Sequence, residues 1–565
     1  MPRSEPNPGP ARPLGRRRPD PLGTSLTWLS GASLALSLLL IVGLLVLLAA
    51  QGLGFFWQGP VHQLQLADGT RVIGEITATE TVRAPANSEA EARRIEEEGA
   101  PTRTQLKIGN RDLYGLDFRW IDDSDIVDST TPADLVMIER LEWGAFFGRL
   151  RELRADGRVL ATGEDAWREV LRLLPEKAKL RRQVRDLEKG EIGDINHELE
   201  ELRLAEARIQ RAEAQGAPPD DAARARIAAR RLQLESRSEA LAVERARLQT
   251  LLDRERAVFV AGDGRSKEIG AGQILRALRP NAMTTLDRLG VYAGRVAEFL
   301  FDDPRESNTE GGIFPAIFGT VLMVFLMTFV VTPLGVLAAL YLREYAVQGT
   351  TVRLVRIAVN NLAGVPSIVF GMFGLSFFVY LVGGSIDRLF YPEMAPTPKF
   401  GTGGILWAAL TLALLTVPVV IVATEEGLAA VPRIMREGSM ALGATKLETT
   451  LRVVVPAAAP GILTGMILAI ARAAGEVAPL MIVGMVKLAP SLPLDHHFPH
   501  LHLDRKFMHL GFHIYDVGFQ SPNVEATRPL VFATAFFLVL IVTAMNLLAI
   551  SIRNHLRRKY ATSAV

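Results

Sequence analysis

The chain has 565 residues, is 49% hydrophobic and 22% charged, and carries 63 Lys and Arg against 61 Asp and Glu, for a net charge of +2. That balance excludes the strongly basic surface of a nucleic-acid binder, so no nucleic acid is expected as a partner. The absence of cysteine excludes disulfides, thiolate metal sites and thiol nucleophiles, and the mixture of apolar content and charge predicts membrane spans joined to a water-exposed domain.

Residues 1–23 form a tail with Arg12, Arg16, Arg17 and Arg18 close before an apolar stretch at 24–50. A bilayer needs about 20 apolar residues, and five further segments meet that length, near 313–342, 357–384, 401–424, 458–487 and 529–552. The first is too long for a signal-peptide core and lacks a small-residue cleavage site, which predicts a retained anchor.

Residues 51–311 lie between the first two spans. From about 61 to 140 they alternate like strands, with Asp68-Gly69 as a hairpin turn and a second repeat around Asn110. From about 164 to 258 they become charged and helical, and Ile227, Leu234, Leu241 and Leu248 recur every seven residues. The stretch Gly216 to Asp220 interrupts this run: proline ends one helix and Asp220 can cap the next. A helical hairpin is predicted, with arms of about 50–60 Å at 1.5 Å per residue. Gly190 and Gly193 weaken the first arm.

Orientation follows from the basic residues that flank the spans. The N-terminal tail, Arg343, Arg353 and Arg356 after the second span, Arg433, Arg436, Lys446 and Arg452 after the fourth, and Arg553, Arg557, Arg558 and Lys559 after the sixth share one side if all six spans are real. Both termini are then cytoplasmic and 51–311 lies on the opposite, external side. The expected fold is an all-α polytopic membrane protein, with a five-helix core at 312–556, a cytoplasmic loop at 425–456, a tail at 557–565 and an external α+β insertion.

The loop carries the most specific motif, REGSMALGATKLETTLRVVVP at 436–456. Glu437, Gly438, Ser439, Gly443, Ala444 and Pro456 predict a short helix, a glycine-permitted turn and a second helix stopped by Pro456. Such a pair is either an amphipathic connector or a rigid piece that docks in a groove of another protein.

Arg472 and Glu476 sit inside the fifth apolar segment, where ionisable groups are costly. Their i,i+4 spacing predicts one helix face and a mutual pair. The pair is either structural or part of an anion pathway, for which arginine offers a planar fork. Gly364, Pro366, Ser367, Gly371 and Gly374 interrupt the third segment, which serves helix packing or a cavity lining equally well. Six of the nine histidines fall in 496–513. A metal site is conceivable here, because His-x-His can bind one ion, but no regular tetrahedral ligand spacing is evident, so these read as solvated imidazoles of an external loop, with neither metal nor cofactor expected. No Gly-Lys-Ser/Thr, Gly-x-Ser-x-Gly or His-Glu-x-x-His sequence occurs. The chain therefore has no P-loop and no enzyme reading has support.

The segment from Glu426 through Gly484, with GVPSIVFGMFG at 364–374 and GGIFPAIFGT at 311–320, resembles the PstA-like permease subunits of bacterial phosphate ABC importers. The resemblance covers about 311–560, and the N-terminal extension is similar to a longer subtype in Gram-negative bacteria. Gly438 stands where the family loop has alanine. The resemblance implies a homologous second permease subunit, ATPase subunits docked on the 426–456 loop, a periplasmic phosphate-binding protein, and phosphate passing near Arg472 and Glu476. The alternatives are another oxyanion (sulfate, molybdate or phosphonate) or a membrane sensor or scaffold.

Overall fold

The computed structural model describes residues 21–81, 101–521 and 524–561. The N-terminal arginines Arg12 to Arg18 lie outside the described residues, as do the last four positions. Among the described residues, six helices are long and apolar enough to cross a membrane: Ser25–Gly54, Phe314–Tyr345, Ser367–Phe390, Ile405–Ala429, Lys446–Gly475 and Thr527–His555.

The fourth span forms the centre, and Ala408, Leu412, Leu415 and Val420 are fully enclosed against the second and fifth spans. In lipid, apolar side chains gain little by meeting each other, so close association depends on small residues that let backbones approach. The fourth and fifth spans cross at such a point. A Cβ built on Gly461 would lie 2.5 Å from the Cα of Gly427. Gly335 of the second span meets Val420 in the same way. The first span has apolar side chains exposed along its length, and it touches the bundle at its C-terminal end, where Gly52 packs on Ala533 of the sixth.

Two span boundaries differ from the sequence expectation. The apolar run at 357–384 divides, because Thr350–Leu362 is a separate helix and the third span starts after Pro366. Pro366 disfavours helical backbone at Val365, so the chain turns there and restarts. Pro366 and Ser367 therefore open the third span rather than interrupt it. The fifth span is Lys446–Gly475, not 458–487; the backbone turns extended at Glu476 and resumes as the short helix Ala478–Val483.

Among the described residues the insertion contains two larger antiparallel sheets and a two-stranded ribbon of Pro304–Arg305 and Glu310–Gly311. The first runs β4-β3-β2-β1-β5, from β1 (His62–Leu66), β2 (Arg71–Thr81), β3 (Thr102–Lys107), β4 (Phe118–Asp122) and β5 (Ile126–Thr130). Gly69 takes φ 82° in the β1–β2 turn, and Asp68 Oδ1 accepts from Thr70 N at 2.8 Å. The second sheet runs β10-β9-β7-β6-β11 with β8 beside β7. Its strands are β6 (Val136–Arg140), β7 (Phe146–Ala155), β8 (Arg158–Thr162), β9 (Glu255–Val260), β10 (Ser266–Gly270) and β11 (Ile274–Leu278). Asn110 ties the sheets together, accepting from Phe147 N at 2.7 Å and donating to Phe147 O at 3.0 Å.

The helical hairpin is inserted within the second sheet, between β8 and β9. One arm is Gly163–Lys189 followed, after a break at Gly190, by Glu191–Ala214; the other is Asp221–Asp253. Asp220 Oδ1 accepts from Ala223 N at 2.8 Å and caps the return arm. At the base, Trp167, Val170 and Leu173 pack on Phe146 and Phe259 of the sheet. Farther out, cross-arm pairs align the helices: Arg245–Glu188 at 2.7 Å, Arg237–Glu191 at 3.0 Å and Arg230–Glu198 at 2.6 Å. The first arm also reaches the core. Arg208 Nε lies 2.8 Å from Glu393 Oε1, and Arg211 donates to Pro392 O at 3.1 Å, in the loop between the third and fourth spans.

Candidate functional site

The 426–456 loop starts where the fourth span ends. Pro432 caps a helix over Arg433–Ala441. The helix closes on Gly443 at φ 91°, with Gly443 N donating to Met440 O at 3.0 Å and Ala444 N to Ser439 O at 3.3 Å. These two bonds satisfy end carbonyls and require left-handed backbone at residue 443, which glycine adopts without strain. Thr445 then starts the next helix with a capping box: its Oγ1 accepts from Glu448 N at 3.2 Å, and Glu448 Oε2 accepts from Thr445 N at 2.9 Å.

Pro456 does not stop this second helix. The chain continues from Lys446 to Gly475 as one span. Ahead of Pro456 the helix widens into a π turn over Thr450–Val454. A proline removes one donor and crowds the preceding turn, and a wider turn relieves both effects without ending the helix. The second helix of the loop is thus continuous with the fifth span.

Arg436 fixes the loop from the other side. Its guanidinium donates to Leu428 O at 2.7 Å in the last turn of the fourth span and to Val431 O at 2.6 Å just beyond it, and reaches Glu344 Oε1 at 3.0 Å at the end of the second. Arg356 similarly joins the separate helix to Glu425 at 3.1 Å. Ser439 Oγ and Thr449 Oγ1, 2.9 Å apart, bind the two short helices together. Sequence reasoning used Arg356 and Arg436 only as topology markers; the signal for their pairing was the acidic residues Glu344 and Glu425 at the ends of neighbouring spans. Glu437 and Gly438 point outward, Ser439 and Ala444 are half-buried, and Ile434, Leu442 and Leu447 are exposed apolar residues at 78%, 92% and 58%.

Arg472 and Glu476 meet, with Nε and Oε1 3.7 Å apart and side chains 33% and 22% exposed. They do not share a helix face in the expected sense. Arg472 is in the last turn, and Glu476 has left the helix with φ −81° and ψ 128°. The arginine faces the negative end of the helix dipole as well as the carboxylate. The opening of the third span packs nearby on the segment that follows Glu476. A Cβ on Gly371 would be 2.7 Å from Pro479 Cα, and one on Gly374 would strike Thr411 of the fourth span. These glycines act in packing.

The histidines at 496–513 are not uniformly solvated as expected. His502, His509 and His513 are buried at 9%, 1% and 2% exposure. His509 caps the short helix Leu510–Tyr515, accepting from Gly511 N at 3.1 Å, and that helix is enclosed because Leu510 N donates to Thr320 of the second span at 2.9 Å. His496 and His500 remain exposed.

Residues 331–562 match the family model for the binding-protein-dependent transport system inner membrane component. A phosphate transport system permease protein PstA from Yersinia pestis is 33% identical over 261 residues, covering 46% of this chain and 78% of that protein. The chain belongs to this inner membrane component family. Other relatives are PstA 1 of Mycobacterium tuberculosis, 38% identical over 185 residues, and the probable ABC transporter permease protein YqgH of Bacillus subtilis, 32% identical over 195. These alignments cover 33% and 34% of this chain, and 54% and 59% of the two relatives. Like the family match, the longest of these alignments falls short of half the chain, so the family relationship belongs to the multi-pass core; permease subunits of this kind are not enzymes.

Proposed function

We propose that this chain is the permease subunit of an ATP-driven importer that moves inorganic phosphate across the bacterial inner membrane. The observation that carries the reading is the docking element at 433–456. It exposes Ile434, Leu442 and Leu447 at one end of the bundle while Arg436 anchors it to two spans. An exposed apolar group beside a rigid anchor suits a separate subunit that delivers mechanical force. ATPase subunits dock there, a homologous second permease subunit faces this one across the pathway, and a periplasmic phosphate-binding protein supplies substrate from the other side. The assembly sits in the lipid bilayer with both termini cytoplasmic and residues 51–311 periplasmic.

Phosphate as substrate rests on the PstA relatives and on Arg472. Arg472 supplies positive charge where the fifth span breaks, and Glu476 restrains it so that the anion is not trapped. ATP-driven closure of the ATPases moves the docking element, and continuity through the π turn passes that motion to the fifth span.

The test is ATP-dependent uptake of radiolabelled phosphate by proteoliposomes holding the intact complex. Unlabelled phosphate should compete and sulfate, molybdate and phosphonate should not. Uptake suppressed by one of those three instead would reassign the substrate, and an intact complex without ATP-dependent uptake would leave the sensor or scaffold reading.

A further inference from the structure

Three potential metal ligands from distant parts of the chain converge outside the core: Asp194 of the hairpin and the adjacent His496 and His497 of the loop between the fifth and sixth spans. One ligand atom from each lies within 4.8 Å of the others. Asp194 Oδ1 is 2.8 Å from His496 Nε2 and 3.1 Å from His497 Nε2. Two ligands on a tetrahedral zinc ion are roughly 3.3 Å apart, given metal bonds of about 2.0–2.2 Å, so only small side-chain movement separates this cluster from a coordination sphere. His197 follows Asp194 by one helical turn, and its ring lies against His497 with centroids 4.2 Å apart, so that a rotation of the ring brings a nitrogen toward a fourth position.

The surroundings of His497 favour an ion over a hydrogen bond. Its Nε2 is buried and makes no hydrogen bond despite its nearness to Asp194. Its other nitrogen, Nδ1, faces Asp495 Oδ1 at 3.5 Å, and its backbone N donates to the same oxygen at 2.9 Å. Asp495 is itself held by Arg505 at 2.5 Å and His502 at 2.8 Å. A carboxylate behind one nitrogen of a histidine places the proton there and leaves the other nitrogen's lone pair for a metal. That lone pair would otherwise oppose the Asp194 carboxylate.

We propose that Asp194, His496 and His497, with His197 as the fourth ligand, bind a divalent transition metal of the zinc class and thereby fasten the helical hairpin to the membrane core. Imidazole and carboxylate donors without thiolate suit such ions. The ion would add to the lateral contacts at Arg208–Glu393 and Arg211–Pro392. This site is independent of which anion is transported.

The experiment uses the full chain purified without a histidine tag, with zinc as probe. One zinc per chain should bind. Asp194→Ala and His497→Ala should each weaken binding by about 100-fold or more, Asp495→Asn by about 10–100-fold, and the exposed control His500→Ala not at all. Zinc should also slow amide hydrogen exchange across 191–214 and 492–502 in the parent but not in His497→Ala. Failure to bind near one equivalent, or binding that survives in Asp194→Ala and His497→Ala, would leave only an imidazole–carboxylate pair and overturn the site. Binding at these residues with unchanged exchange in the hairpin would overturn its fastening role.

Discussion

Arg436 of the loop helix reaches Glu344 at the end of the second span at 3.0 Å, while the same guanidinium donates to Leu428 O in the last turn of the fourth and to Val431 O just after it. One side chain thus joins three elements at the end of the bundle where the docking element lies. The pair is largely buried, with side chains 18% and 13% exposed. Arg436→Gln would leave the Glu344 carboxylate without its partner and two carbonyls short of donors, a local cost of roughly 1–3 kcal/mol for each lost buried bond. We expect membrane levels to fall modestly and ATP hydrolysis to continue without matching phosphate uptake. The ratio of phosphate transported to ATP hydrolysed measures this, and an unchanged ratio would detach Arg436 from coupling.

Gly443 should matter for its backbone rather than its size. A Cβ there meets no atom within 4 Å, but φ is 91°. A left-handed residue costs about 1–2 kcal/mol with an ordinary side chain, less with asparagine. Uptake should therefore decline in the order Gly, Asn, Ala, Val at equal protein level. Equal loss in Gly443→Asn and Gly443→Val would show that the docked partner, not the turn, excludes the side chain.

Arg472 and Glu476 distinguish pathway from scaffold. If the pair were only structural, removing both charges would be milder than removing one, since no charge is left unpaired. The pathway reading expects Arg472→Gln and the double change Arg472→Gln with Glu476→Gln both to lose most uptake at parental protein levels. Transport restored in the double variant would assign the pair to structure.

A charged cavity of about 200 Å³ lies where the insertion meets the first and sixth spans, lined by Glu75, Glu139, Arg295 and Glu310 among others. Burial pushes the carboxyls of Glu75 and Glu310 above the usual range. Burial acts the same way on Glu139, but Arg295 and Arg276 outweigh it and hold that group low. A carboxyl raised on folding stabilises fully below its unfolded value, near 4.5, and loses that contribution as pH rises through the folded value. Glu139 has the opposite sign, and its contribution disappears as pH falls. Against the upward slope that buried His509 and His513, held down to about 4, give the unfolding temperature, Glu75 and Glu310 should therefore contribute a downward slope as pH rises above about 4.5. Glu75→Gln and Glu310→Gln should remove that downward contribution and leave a steeper rise, and slopes unchanged in both would remove these groups as its source.

Much of this was legible because some signals are local. Six apolar runs marked six spans, Asp68-Gly69 marked a turn, and Asp220 marked a cap. Gly443 announced its turn because few residues adopt positive φ. Boundaries depended on what proline does in context, and that was not local. Pro366 began a span, whereas Pro456, behind a π turn, sat within one. Strands β9 and β11 were hidden behind the charged helical run at 164–258; their partners β7 and β6 lie more than a hundred residues earlier, so no nearby pattern pairs them. Asp194 and His496 lie 302 residues apart, and sequence spacing within 496–513 could not reveal a cluster completed from the hairpin.

The central claim is that the 433–456 element is where an ATPase subunit engages the membrane core. Because the chain has no cysteine, a single Leu442→Cys change provides one unique thiol on the outermost residue of that element, which is 92% exposed. Thiol cross-linking in membranes that contain the whole complex should join this chain to an ATPase subunit, and ATP should alter the yield. Absence of that product in an assembled, transport-active complex, or accessibility of Leu442→Cys from the periplasmic side, would contradict the account.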